Sequence, residues 1–292
     1  MIRTYKATGI NLKSAPIGES DRVLTVLTRE FGLIRAVAPG VRKHRSTIGG
    51  RSELFVVNEL LLAKGRSLDK ITQADTVESY PGLSRNLGKL AAAQYLAELA
   101  IATGFEEQPQ EELFCLLGEH LSRLERLPDR TESDSATGVL AHLAQGIFHL
   151  LALAGLAPQV QVCCVTRRPL IPNFTAADWK IGFSISSGGT LSLPEFANLE
   201  AERQAETGSF YKSASAASQT STSKHLTNVC INASELAAFQ ELASAELAAG
   251  GIADRAAWVA VENILRQYAQ YHLGCVIRSG SSIDSYLESF EF

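Results

Sequence analysis

The chain has 292 residues, 46% of them apolar and 20% charged. That composition excludes full disorder, and the length leaves room for about two domains with proper cores. The formal net charge of −4 is unevenly spread: residues 1–80 carry 13 Lys and Arg against 8 Asp and Glu, while residues 81–292 carry 14 against 23. The split suggests a basic binding module on an acidic body, with a solvated charged face as the plain alternative. No apolar run is read as approaching the roughly 20 residues that span a bilayer. The polar N-terminus lacks the apolar segment of a signal peptide. Five scattered cysteines (Cys115, Cys163, Cys164, Cys230 and Cys275) suit a reducing cytoplasm better than a disulfide framework.

In chain order, residues 4–12 read as a first strand and 23–28 as a second. Gly32 interrupts before a third strand at 33–38, and Pro39-Gly40 marks a turn. The run 54–63 is apolar enough for a helix, but its β-branched pair and short length favour a strand. Residues 71–78 supply a fifth. Five short strands at regular spacing predict a small closed barrel of the OB-fold type over residues 1–80. Beyond Pro81-Gly82 the texture becomes helical, with helices expected over 87–103, 111–127, 137–155, 234–249 and 254–272. Asp254 is placed to cap the last of these. The helical domain therefore comes in two parts, 81–157 and 231–292. Between them, 158–230 is a small insertion with a strand-like run at 182–185. Its Ser/Thr/Ala-rich stretch 209–228 is expected to form a mobile loop. The fold class is α+β and multidomain.

The basic residues cluster. Arg35, Arg42, Lys43, His44, Arg45 and Arg51 fall within 17 positions, and Arg22, Arg29, Lys64 and Arg66 belong to the same module. Aromatic residues there are few. Phe55 reads as core, whereas Tyr5 and Phe31 are open as stacking platforms. The pattern fits a contact that tracks phosphates without reading bases. Phosphate-loop, dinucleotide and nucleophile-elbow motifs are absent. Glu106-Glu107 and Glu111-Glu112 suit a helix start, and Cys115 reads as a buried inert thiol. No enzymatic turnover is expected.

The run from Gly18 to Leu33 (GESDRVLTVLTREFGL) resembles the N-terminal signature of the bacterial RecO recombination and DNA-repair family. The resemblance continues through 36–43 (AVAPGVRK) and Ser46, and returns at 265–274 and Arg278-Ser279. It implies an N-terminal OB-fold, a helical domain and a zinc-finger-like insertion. It implies binding of single- and double-stranded DNA, strand annealing, and action with RecR and single-strand-binding protein (SSB) to load RecA, in the cytoplasm at the nucleoid. Arg42, Lys43 and Arg45 are then the foremost DNA contacts. Arg123, Arg126, Arg266 and Arg278 become weaker candidates for receiving the acidic SSB tail. The alternative is an interaction scaffold that docks SSB with little DNA affinity of its own. Many relatives carry a four-thiolate zinc site. Here the matching positions are Cys163, Thr166, Ser192 and Glu195, Cys163-Cys164 are adjacent, and the six His are dispersed. No metal is therefore expected. The lobe is expected to be held by Phe174, Trp179, Ile181, Phe183 and Leu191 instead.

Overall fold

The computed structural model describes residues 4–43, 46–128, 133–210, 228–247 and 253–289. His44, Arg45 and most of the Ser-rich stretch, 211–227, lie outside the described residues.

Five strands form the expected barrel: β1 (Thr4–Ile17), β2 (Asp21–Thr28), β3 (Gly32–Ala38), β4 (Val56–Ala63) and β5 (Asp69–Ser79). They close in the order β1-β2-β3-β5-β4. β1 is longer than its weak alternation suggested. It pairs with β4 from Thr4 to Ile10 and with β2 from Gly9 to Ile17, and a bulge between Asn11 and Lys13 interrupts the second ladder. The last seam to close is short. β3 and β5 run parallel and share two registered pairs, Ala36 with Asp69 and Val37 with Lys70. Inward-facing Ala7, Leu24, Val26, Ala36, Leu60, Leu62 and Ile71 fill the barrel. Small residues at some of these positions let opposite walls approach in so small a barrel.

The body follows with α1 (Leu87–Thr103), α2 (Glu111–Arg126) and α3 (Ser133–Leu153). Asn86 caps α1 by accepting the backbone N–H groups of Gly88 and Lys89. Lys89 is buried and donates to the Glu125 and Leu127 carbonyls, which α2 leaves unpaired at its C-terminal end. One expectation fails at α3. Ala136–Leu153 is long and apolar enough to cross a membrane by length and composition, but 67% of that window is buried inside the protein.

The insertion departs further from expectation. β6 (Lys180–Ser184), β7 (Gly189–Leu191) and β8 (Val229–Asn232) form a three-stranded sheet ordered β7-β6-β8. The expected boundary at 230/231 therefore falls within β8. An unforeseen helix, α4 (Leu193–Phe210), follows β7. The sheet is no separate lobe, because Ile181, Phe183 and Ile231 share one core with the helices. Phe183 stacks on Phe239 at 5.2 Å between ring centroids. Trp179 packs partly buried against that core and Leu191 is buried, whereas Phe174 is exposed and does not hold the lobe.

The chain ends its described course in α5 (Ala233–Glu241), α6 (Arg255–Leu273) and α7 (Gly280–Glu288). Asp254 caps α6 as expected, accepting from the Ala257 N–H at 2.8 Å. α5 stops earlier than its apolar periodicity suggested, and α7 was not foreseen. Cys115, read as buried, is exposed on α2.

Barrel and body are sewn together by backbone bonds. The Leu33 N–H donates to the Phe105 carbonyl and the Gln110 N–H to the Arg29 carbonyl. Gly32, at φ +66°, makes the approach possible, since a Cβ there would lie 2.1 Å from the Phe105 oxygen.

Candidate nucleic-acid interface

OB-folds take oligonucleotides on the β2–β3 face, between the β1–β2 and β4–β5 loops. Here the β1–β2 loop is 18–20 and the β4–β5 loop is 64–68. The basic residues of the barrel divide between the two ends of that face. β3 runs between them, and its parallel pairs with β5 (Ala36 with Asp69, Val37 with Lys70) bring Lys70 within two strand positions of Arg35.

At one end, beside the β1–β2 loop, stand Arg22, Arg42, Lys43 and Arg51. Arg42 and Lys43 are exposed. The Arg42 N–H donates to the Ser20 carbonyl, and its guanidinium lies 3.4 Å from the Gly18 oxygen. Arg22 pairs with Glu53 at 3.2 Å. Arg51 donates to the Thr47 carbonyl at 2.7 Å and lies 3.8 Å from Asp75. The loop that carries Arg51 is fixed from inside the barrel: buried Asn11 donates to the Arg51 and Glu53 carbonyls, and Asn58 adds a second bond to Arg51. Asp21 ties the end together by accepting from the Gly40 N–H and the Ser20 hydroxyl. Those bonds, with Lys43 and Lys70 nearby, hold its carboxyl below the usual range. Lys70 is thereby a member of this group that the sequence reading missed. Its clue is the alternation of β5, which buries Asp69 and turns Lys70 outward.

At the other end, beside the β4–β5 loop, Arg35, Lys64 and Arg66 line one cavity with Tyr5 and Phe31. Arg29 belongs to neither group. Its guanidinium lies 4.7 Å from the centre of the Phe114 ring, so its charge is laid on the helical body.

The arginines expected to receive an acidic tail are not equivalent. Arg266 makes bidentate bonds to Glu262 and two further bonds to Asp284, all at 2.7–2.9 Å. Four of its five N–H donors are thus engaged within the fold. Arg123 bridges Glu119, Gln145 and the Ala245 carbonyl and is likewise engaged. Arg126 and Arg278 are exposed.

In the insertion, three of the four positions matching the zinc ligands converge. Cys163 is buried, and its sulfur accepts the Ser192 N–H at 3.4 Å, with the Ser192 hydroxyl at 4.0 Å. Burial pushes this thiol up, but hydrogen bonds from the Thr166 side chain and backbone and from the Ser192 and Val165 N–H groups outweigh it and bring it to about 7. One sulfur surrounded by hydroxyl and amide donors does not fit tetrahedral zinc, which takes thiolate, imidazole or carboxylate ligands. Among the described residues, no group of three or more His, Cys, Asp or Glu converges to hold a metal ion.

Residues 1–80 match the family described as Recombination protein O N terminal, and residues 84–191 match Recombination protein O C terminal. The chain belongs to the RecO family. It is 55% identical over 291 residues to the DNA repair protein RecO of a Nostoc species, covering 98% of this chain and 97% of that one. It is 54% identical to the protein of the same name from Nostoc punctiforme, covering 98% and 97% of the two chains. For the Synechocystis protein of that name, identity is 40% and coverage 99% of each chain. This RecO-family chain thus has a role in DNA repair and recombination.

Proposed function

We propose that this RecO-family chain is a non-catalytic recombination mediator that binds single- and double-stranded DNA through the β2–β3 face of its barrel and anneals complementary strands. The observation carrying this reading is the row of exposed cations flanking the β3–β5 seam: Arg42, Lys43 and Lys70 at one end, Arg35, Lys64 and Arg66 at the other. Cations spread along one face can neutralise two phosphate backbones at once and so lower the repulsion between strands. Arg45 is proposed to join them from outside the described residues. Cooperation with RecR, docking of the SSB tail and loading of RecA belong to the same reading and rest on the family resemblance. For the tail, exposed Arg126 and Arg278 are the better-placed candidates. The insertion acts in this reading without metal, and stoichiometric zinc in the purified protein would overturn that point.

The deciding experiment is fluorescence anisotropy of a labelled single-stranded oligonucleotide at about 50 and 200 mM salt, a range over which counterion release changes affinity steeply. Tight binding at low salt that collapses at high salt is expected. No binding at either salt would defeat the reading in favour of a scaffold that reaches DNA through a partner.

A further inference from the structure

We infer that the cavity at the β4–β5 end of the barrel is a nucleotide pocket that takes one unstacked base of single-stranded DNA on Phe31. This rests on the DNA-binding reading above and deepens it. Tyr5 and Phe31 stand 26 positions apart in the chain, and nothing local joins them. The fold does so because β1 runs past the end of β2, which brings Tyr5 over the β2–β3 turn that carries Phe31.

The two rings meet edge to face at 4.9 Å between centroids. Tyr5 is a fixed support. Its hydroxyl donates to the Asp69 carboxylate, which also accepts the Gly65 N–H at 2.9 Å and lies 3.8 Å from the Lys64 ammonium. Burial, with that carboxylate close by, pushes the Tyr5 hydroxyl well up, so Tyr5 keeps its proton and its bond. Phe31 has no polar handle and remains 37% exposed. An exposed aromatic ring held in place by a second, locked ring is a preformed stacking platform, and every base has a face to stack on it.

The surroundings fit one nucleotide. The cavity holds about 620 Å³, within the range of roughly 300–1,000 Å³ usual for small-ligand sites. Arg35, Lys64 and Arg66 provide cations for phosphate, while Glu106 and Glu107 stand on the side formed by the helical body. The carboxylates repel a phosphate, so the backbone must pass along the Arg35–Arg66 side with its base turned toward Phe31. A duplex keeps its bases stacked inside and cannot offer one. This end of the face therefore discriminates single strands, whereas the Arg42–Lys43–Lys70 end contacts backbone alone.

The test compares the full chain with Phe31→Ala and Phe31→Tyr on single-stranded and duplex oligonucleotides of equal length, with the single strand carrying 2-aminopurine as a stacking reporter. Phe31→Ala is expected to weaken single-strand binding by about 5- to 150-fold, the range that alanine substitution of stacking aromatics produces. Duplex affinity and the salt slope should stay unchanged, since stacking releases no counterions. Phe31→Tyr should retain both affinity and 2-aminopurine quenching. Wild-type binding to both DNAs with no loss in Phe31→Ala, or with equal loss on single strand and duplex, would overturn the pocket and leave the wider DNA-binding reading standing. Absence of wild-type binding to either DNA would defeat the wider reading itself.

Discussion

His120 and His149 form a hydrogen-bonded relay that runs from α2 through α3 to the end of α5. The His149 Nε2 lies 2.8 Å from the Leu242 carbonyl, which can only accept, so that nitrogen carries the proton. Its Nδ1 is therefore an acceptor, and the His120 Nε2 donates to it across 3.2 Å. The His120 Nδ1 is left buried without a partner. Gln145 and Arg123 hold the next carbonyls, Ser244 and Ala245. The relay requires both imidazoles to be neutral.

Acid should break it. Burial, then the neighbouring His149, Arg123 and His142, pushes His120 down to about 3. Burial likewise lowers His142 and His149. In the unfolded chain these groups titrate near 6.5. The unfolded state therefore binds more protons once the pH falls below that value. Stability is full above about pH 6.5 and declines toward pH 3, by up to about 1.4 kcal/mol per pH unit for each extra proton taken up. Denaturant midpoints measured from pH 8 to pH 4 should fall on the acid side. His120→Gln, which can still donate to His149, should show a shallower fall, and an equally steep profile would remove His120 from the account.

The Glu262–Arg266–Asp284 cluster predicts an asymmetric double-mutant cycle. Glu262 is 1% exposed, and burial raises its carboxyl while Arg266 opposes the rise. Arg266→Met strands that carboxyl and should cost about 3–5 kcal/mol, whereas Glu262→Leu with Arg266→Met should cost far less. Urea unfolding reads both. A single variant as stable as the wild type would show that the cluster is not coupled to the core.

Gly32→Ala should destabilise the junction of barrel and body. The new methyl would meet the Phe105 carbonyl at 2.1 Å, on a residue at φ +66°. A loss of at least about 1–3 kcal/mol is expected from the backbone conformation alone. It should appear as faster amide exchange at Leu33 and Gln110, whose N–H groups bond across the junction. Unaltered exchange at those two amides would refute the seam.

Arg42→Ala with Lys43→Ala should weaken single strands and duplex alike. For single strands the slope of log affinity against log salt should shrink by roughly 0.7 for each phosphate no longer neutralised. An unchanged slope would take these two side chains off the DNA path.

Much of this was legible in the sequence because local chemistry decided it. Alternating β-branched strands and punctuating Gly and Pro marked out the barrel, and Asp254 marked the start of α6. What stayed hidden depends on distant pairing. Lys70 joins the basic face through a two-rung parallel seam, and Tyr5 reaches Phe31 because β1 overruns β2. Arg266 looked like a surface cation because nothing local announces that Asp284, eighteen residues on, will share it. The helical insertion element α4 was missed because Pro194 near its start and the Ser-rich composition downstream both argued for loop.

The helix that opens the body is completed by the segment that closes it. Glu98 on α1 accepts the N–H groups of Arg278 and Ser279 at 2.7 and 3.2 Å. Gly88 lies so close to the Tyr286 ring that a methyl group there would sit 2.3 Å from it. During synthesis the barrel strands leave the ribosome first and can pair among themselves. α1 must wait about 180 residues for its last partners, because that is the separation from Glu98 to Arg278. The nascent chain thus carries a nearly finished barrel ahead of a helical body that still lacks its closing contacts, and a chain cut short before residue 278 would have the first without the second.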